Sequence, residues 1–181
     1  EMVFHEAGNV LDYLVAPARL EANLLIEAQR LAARAIDKMK GKGIFGVEMF
    51  LTSQGEVLIN EISPRTHNSG HYTTEACQTS QFVQQLNILT GKQLGSTKQK
   101  MPAVMYNLLG AEGFDGDTVV LGADQARDDP SVRVHLYGKA RCFPGRKMGH
   151  VTVTAASVDE ALGTVNTIRP NLTVRGAQRI D

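Results

Sequence analysis

Residues 46–65 read Gly46-Val47-Glu48-Met49-Phe50-Leu51-Thr52-Ser53-Gln54-Gly55-Glu56-Val57-Leu58-Ile59-Asn60-Glu61-Ile62-Ser63-Pro64-Arg65. Two β-rich runs flank the polar Thr52-Ser53-Gln54-Gly55, a pattern of strand, tight turn, strand. A two-residue turn at Gln54-Gly55 sets the register: Ser53 opposes Glu56, Phe50 opposes Ile59 and Glu48 opposes Glu61. Directly opposed side chains share one face, with Cβ atoms about 4.5–5.5 Å apart. Two carboxylates placed so repel each other unless a cation sits between them. Mg²⁺, a hard ion that takes oxygen ligands and bridges to phosphates, is the simple resolution. Asn60 points to the other face on this register. A bulged turn would instead put the glutamates on opposite faces or out in solvent, so spacing alone leaves both readings open.

Upstream, Leu20, Leu24, Ala28, Leu31, Ala35 and Met39 recur at steps of three and four, which predicts a helix over 19–40 with one buried face. Gly41-Lys42-Gly43 supplies its stop, with glycine available for a left-handed cap. Residues 3–15 are β-rich around a turn at Glu6-Ala7-Gly8-Asn9. The chain thus opens in what reads as mid-strand, and a piece of a longer protein is expected. Downstream, 62–72 reads as a polar loop. A helix is expected over 74–90, with Phe82, Leu86 and Leu89 inward and Gly91 as its stop. The polar, aperiodic stretch 92–101 marks a boundary, giving domains 1–98 and 99–181. In the second, strands are expected near 103–109, 132–137 and 151–154, with a loop or short helix after the first. Ser157-Val158-Asp159-Glu160 reads as a capping box, and Val158, Ala161, Leu162, Val165 and Ile168 stripe the helix it opens. Mixed strands and helices make the fold class α/β (α+β).

The bulk composition narrows the partners. Nineteen basic residues balance nineteen acidic ones, so no global field recruits nucleic acid or an anionic membrane, and any anion site must be built locally. No apolar run approaches the roughly 18–20 residues of a spanning helix, and Glu1-Met2-Val3-Phe4-His5 has neither the basic start nor the apolar core of a signal peptide. Cys77 and Cys142 stand too far apart for metal-ligand spacing and read as two buried thiols of a cytosolic protein.

Two further stretches carry chemistry. In Ile62-Ser63-Pro64-Arg65-Thr66-His67-Asn68-Ser69-Gly70-His71, seven of ten side chains can donate or accept hydrogen bonds. Beside a metal site such a loop suits substrate orientation, although a solvated surface loop has the same composition. His71 is expected to hold structure by hydrogen bonding. The stretch from Tyr137 to His150 holds Lys139, Arg141, Arg146, Lys147 and His150, no acid, and glycines at 138, 145 and 149. Lysine as a point charge and arginine as a fork suit a phosphate monoester. A solvated connection between strands is the alternative. With only Tyr137 and Phe143 as aromatics, the stretch does not suggest nucleic-acid binding.

In this order the pieces resemble a known family. Gly46–Phe50 with Asn60–Arg65 resembles the metal-binding end of an ATP-grasp domain. His67-Asn68-Ser69-Gly70-His71-Tyr72-Thr73 with Thr79-Ser80-Gln81-Phe82, and Tyr137-Gly138-Lys139 with Pro144-Gly145-Arg146-Lys147-Met148-Gly149-His150, are similar to signatures of the N5-carboxyaminoimidazole ribonucleotide synthetases. The resemblance covers nearly the whole chain. It implies the C-terminal half of an ATP-grasp domain followed by a small mixed β/α C-terminal domain. It also implies an ATP-dependent carbon–nitrogen ligase of purine biosynthesis. ATP, bicarbonate and aminoimidazole ribonucleotide would give the N5-carboxy product, ADP and phosphate through carboxyphosphate.

Carried over, the resemblance makes Glu48 and Glu61 ligands of Mg²⁺ and Asn60 and Glu61 contacts of ATP. Arg65, His67 and Asn68 become catalytic and, with Ser69, line the bicarbonate and aminoimidazole site. Lys139 and Arg146 become ligands of the 5′-phosphate. A cytoplasmic homodimer acting on small molecules, with no nucleic-acid or membrane partner, is the implied setting. Two departures stand out. Ala140-Arg141-Cys142-Phe143 precedes Pro144-Gly145, where the family more often has a charged residue and arginine. The family's N-terminal half, with its phosphate lid, is not encoded, so the chain alone is expected to be inactive. A ribonucleotide formyltransferase-like ATP-grasp ligase is a rival that the 67–73 run argues against. A non-catalytic sugar-phosphate-binding module is the rival from another class.

Overall fold

The computed structural model describes residues 1–4 and 11–180; the expected Glu6–Asn9 turn lies outside them. The chain forms two compact units, one of Ala18–Gln99 and one of Glu1–Pro17 with Lys100–Asp181. Residues 1–17, expected with the first domain, therefore pack with the second. The reason is strand pairing: β1 (Met2–Phe4) joins β2 (Leu11–Ala16), and β2 lies antiparallel to β5 (Ala103–Leu109), with Tyr13 opposite Tyr106.

In the Ala18–Gln99 unit, α1 (Ala22–Met39) precedes the hairpin of β3 (Gly46–Leu51) and β4 (Val57–Ser63). A 3-10 turn at Asn68–Gly70, α2 (Thr73–Ala76) and α3 (Gln81–Leu89) follow. The helical period of α1 is as expected, but its apolar face is not buried. Leu24, Ala28, Leu31 and Ala35 are only half-buried and Met39 is exposed, because the sheet of this unit has two strands and cannot cover an eighteen-residue helix. The helix ends on Lys40, which takes the left-handed conformation (φ 53°) expected of a glycine. The Lys40 N–H donates to the Asp37 carbonyl and the Gly41 N–H to the Ile36 carbonyl, a Schellman closure. Gly41 is needed for a different reason: a Cβ there would lie 2.5 Å from the Phe45 ring.

The single helix expected over 74–90 is two helices. Thr73–Ala76 stops at Cys77, and Ser80 starts α3 by accepting the Val83 N–H on its hydroxyl at 3.2 Å. Phe82, Leu86 and Leu89, expected inward, are exposed, and Gln84 is the buried member of α3. Gln84 earns its burial by satisfying both backbone groups of Gly95, accepting its N–H at 2.9 Å and donating to its carbonyl at 2.7 Å.

The other unit adds β6 (Phe114–Leu121), α4 (Ala123–Arg127), β7 (Val132–Leu136), β8 (Arg141–Cys142), β9 (Lys147–Thr154), α5 (Val158–Ile168) and β10 (Thr173–Arg179). One antiparallel sheet runs β1-β2-β5-β9-β7 and a second runs β10-β6-β8. Val104, Tyr106, Val151, Val153, Ala161 and Val165 belong to one core. The expected strands at 103–109 and 132–137 are present, and the third starts at Lys147 rather than near 151. The strands β6, β8 and β10 were not expected. Phe114-Asp115-Gly116-Asp117 reads as loop, and only pairing with β10 and β8 makes it strand. The capping box forms: Ser157 Oγ accepts the Glu160 N–H at 3.1 Å, while Glu160 Oε2 accepts the Ala156 N–H at 3.1 Å. Arg169 pairs with Asp12 and stands over the Tyr106 ring, whose phenol burial pushes up to about 12.

β7 and β9 approach each other closely at Gly149. An added Cβ there would lie 2.2 Å from the His135 carbonyl oxygen, a backbone atom that cannot swing aside. Gly149→Ala is expected to cost about 1–3 kcal/mol of stability, the usual range for overpacking. The measurement is a urea midpoint at unchanged m value, and a wild-type midpoint would contradict this spacing.

Candidate functional site

The hairpin reaches the expected opposition of Glu48 and Glu61 by an unexpected path. Its turn has three residues, not two. Thr52 pairs with Glu56, its N–H donating to the Glu56 carbonyl at 2.9 Å, and Gly55 closes the turn at φ 83°. Ser53 therefore does not oppose Glu56, and Phe50 pairs with Leu58, not with Ile59. Left uncorrected, this shift would carry Glu48 out of register with Glu61. A β-bulge then intervenes: Met49 pairs with Ile59 but Glu48 with Glu61, so Asn60 is the extra residue. The two irregularities cancel.

Both carboxylates stand near one imidazole. His67 Nδ1 is 3.6 Å from Glu48 Oε1, and His67 Nε2 is 3.9 Å from Glu61 Oε1. Two acids near one ring share a face. At these distances the contacts are electrostatic rather than hydrogen bonds. Glu61 is further oriented by Ser63, whose hydroxyl donates to Oε1 at 2.6 Å. Glu48 and His67 are mostly buried, while Glu61 is about half exposed. Among the described residues no group of three His, Cys, Asp or Glu is arranged to hold a metal ion by itself. Two opposed carboxylates fit Mg²⁺ nonetheless, because that ion commonly takes one or two carboxylates and fills its remaining positions with water and substrate phosphate.

His67 lies directly on the hairpin backbone. A Cβ at Gly46 would be 2.6 Å from the His67 Cβ, so only glycine admits the ring at this point of β3. Ser69 Oγ lies 2.8 Å from His67 Nδ1, and the Ser69 N–H points to the same nitrogen at 3.4 Å. Asn68 opens the 3-10 turn beside them. Arg65 turns back on its own loop, Nη1 donating to the Thr66 carbonyl at 3.0 Å, so it is not gathered with the glutamates. A cavity of about 380 Å³ adjoins His67, lined also by Gly46, Ser69, Tyr72, Thr73 and Gln81. Burial, and then Cys77, push the Tyr72 phenol up. Gln81 lies within the 79–82 signature, and its side-chain role emerges only from the structure.

The basic loop belongs to the other unit. Gly145 (φ 71°) turns it, and paired backbone bonds dock it on Gly110: the Gly145 N–H donates to the Gly110 carbonyl at 2.9 Å and the Gly110 N–H to the Arg146 carbonyl at 2.8 Å. Lys139 Nζ donates to the Lys147 carbonyl at 2.5 Å and stands 5.7 Å from the Tyr137 ring centre. Arg146 Nη1 donates to the Arg141 carbonyl at 2.6 Å and stands 5.1 Å from the Phe143 ring centre. Both cationic heads thus rest on backbone of one loop. Arg141 does not join them; it makes a two-pronged bond to Asp115, Nε to Oδ1 and Nη2 to Oδ2, each 2.9 Å. Cys142 and Cys77 are both buried and form no disulfide, and burial pushes the Cys142 thiol up.

The chain is similar to known proteins along most of its length. Residues 2–82 match the ATP-grasp domain family, and residues 103–164 match the phosphoribosylaminoimidazole carboxylase C-terminal domain family. The chain is 44% identical over 161 residues to phosphoribosylaminoimidazole carboxylase of Schizosaccharomyces pombe, covering 86% of this chain and 29% of that protein. The N5-carboxyaminoimidazole ribonucleotide synthetase of Thermotoga maritima superposes with a TM-score of 0.86 at 46% identity, over 91% of this chain and 46% of that one. The Aspergillus clavatus N5-carboxyaminoimidazole synthase, solved with ADP and 5-aminoimidazole ribonucleotide, superposes with a TM-score of 0.81 at 34% identity. It covers 93% of this chain and 45% of its own. The chain therefore spans less than half the length of these relatives.

The Asp115–Arg141 pair sets a pH expectation. Hydrogen bonding from Arg141 holds the Asp115 carboxyl below its ordinary value of 3.8. A depressed folded value means the stabilisation is complete above the ordinary value and is lost as pH falls through the folded one. Asp115→Asn should therefore lose less stability than wild type on acidification below about pH 4, where a free carboxylate begins to titrate. Parallel acid-unfolding curves for the two proteins would contradict the pairing.

Proposed function

We propose, from the premise that this chain belongs to the N5-carboxyaminoimidazole ribonucleotide synthetases of the ATP-grasp fold, that the whole protein carboxylates 5-aminoimidazole ribonucleotide. Bicarbonate supplies the carbon, and cleavage of ATP to ADP and phosphate drives the reaction. The observation that carries this reading is the opposed Glu48–Glu61 pair with His67 against both acids.

Mg²⁺ bound at Glu48 and Glu61 would supply charge neutralisation for the ATP phosphates. Asn60, lifted out of the ladder by the bulge, and Glu61 contact the nucleotide. A bicarbonate oxygen attacks the γ-phosphorus and ADP leaves, giving carboxyphosphate. The amine nitrogen of the ribonucleotide then attacks the carboxyl carbon, phosphate leaves, and the amine loses a proton. His67, oriented by Ser69, is placed to take that proton, Asn68 binds the anionic carboxyl group, and Arg65 joins it on leaving the Thr66 carbonyl. Lys139 and Arg146 hold the 5′-phosphate as a point charge and a fork. Among the described residues no helix is long and apolar enough to cross a membrane. A homodimer in the cytoplasm is the proposed setting.

Glu61→Gln in the complete enzyme should lower ribonucleotide-dependent phosphate release by about 10²-fold, the scale of losing one charge-stabilising group. Undiminished turnover would refute the metal role. Arg146→Ala removes a charge-assisted contact of about 1.5–3 kcal/mol and should raise the KM for the ribonucleotide about tenfold or more. The KM for ATP should stay put. Equal effects on both substrates would assign Arg146 to holding the loop through the Arg141 carbonyl instead. Ribonucleotide binding that is lost in Arg146→Ala, together with no ribonucleotide-dependent phosphate release by the wild-type complete protein, would favour the non-catalytic sugar-phosphate-binding module.

A further inference from the structure

His67 is held by a single side chain fourteen residues further on. Gln81 Oε1 accepts the His67 N–H at 2.9 Å, and Gln81 Nε2 donates to the His67 carbonyl at 2.8 Å. One primary amide thereby satisfies both backbone groups of one residue, as a neighbouring strand would, in a loop where no strand runs alongside. Gln81 is itself fixed. Its N–H donates to Thr73 Oγ1 at 3.0 Å, and that hydroxyl donates to the Gly70 carbonyl at 2.6 Å. Gly70 leaves the space: a Cβ there would lie 2.6 Å from Gln81 Oε1.

The amide has only one tenable orientation. Flipped, it would set oxygen against the His67 carbonyl and NH₂ against the His67 N–H, two repulsive contacts. The third contact of Gln81 then follows. Its Nε2, a donor, lies 2.9 Å from Nδ1 of His71, so that nitrogen is an acceptor and carries no proton. Neutral His71 holds its proton on Nε2.

We propose that Gln81 is a positioning residue of the carboxylation site. It fixes the backbone of His67 so that the ring stands between Glu48 and Glu61, and in the same act it selects the Nε2–H tautomer of His71. The inference rests on the catalytic role proposed for His67. A leucine of similar size could fill the space but would strand the N–H and C=O of His67, so packing alone does not require glutamine here.

The test uses Gln81→Leu, Gln81→Glu and His67→Asn in the complete enzyme, with nitrogen-15 NMR of the histidine rings in the same protein. Gln81→Glu keeps the acceptor for the His67 N–H but turns an oxygen toward the His67 carbonyl, and serves if the leucine variant does not fold. The expected result is a kcat lower by about 10²-fold, the scale of a 1 Å misplacement, with the KM for ATP unchanged. In the wild-type chain His71 should show an unprotonated Nδ1 and a protonated Nε2, and in Gln81→Leu a mixture of tautomers. A folded Gln81 variant with wild-type kcat, while His67→Asn is inactive, overturns this proposal alone. A wild-type His71 protonated on Nδ1 likewise overturns it. If His67→Asn keeps full turnover, the catalytic role of His67 is wrong and the proposal falls with it.

Discussion

Two like charges held opposite each other across β3 and β4 are the constraint around which the Ala18–Gln99 unit is organised. Opposed carboxylates destabilise a hairpin, yet here two departures from regular pairing are combined to produce that opposition. The three-residue turn closed by Gly55 moves the register by one, and the bulge at Asn60 moves it back. A hairpin built for stability alone would need neither. Ser63 on Glu61, His67 near both acids and the glycine at 46 that admits the ring all serve the same small volume.

The loops beyond the hairpin show a second habit of this chain, in which backbone is held by side-chain amides where no secondary structure can do it. Gln81 pairs with both backbone groups of His67, and Gln84 does the same for Gly95. These bonds keep irregular segments rigid, which a site that works by placement requires. In the other unit the same end is reached with main chain alone, the paired bonds of Gly110 to Gly145 and Arg146. That docking fixes the base of the basic loop, and Lys139 and Arg146 then extend over aromatic rings.

Much of this was legible in the residues. The strands around Thr52–Gly55, the helix of 22–39, the capping box at Ser157 and the resemblance carried by 67–73 and 137–150 all rest on local patterns. The failures share a cause. Phe114-Asp115-Gly116-Asp117 has no strand character of its own, and only β10 and β8 make it β6. The helix expected over 74–90 breaks because Cys77 bridges to Gln99, far along the chain. Residues 2–17 fall within the ATP-grasp match yet pack with the second unit, because β2 pairs with a strand ninety residues away in sequence.

Read by itself, the sequence determined which acids, imidazoles, amides and cations are available, and in what order they come along the chain. It determined these because side-chain chemistry and short-range spacing are properties of the chain. The tertiary structure decided how Glu48 came to face Glu61, and that Gln81 rather than a neighbouring strand holds His67. A bulge or a cross-loop amide bond depends on the balance of pairing over many residues, and a one-residue slip in that balance reverses which face a side chain occupies.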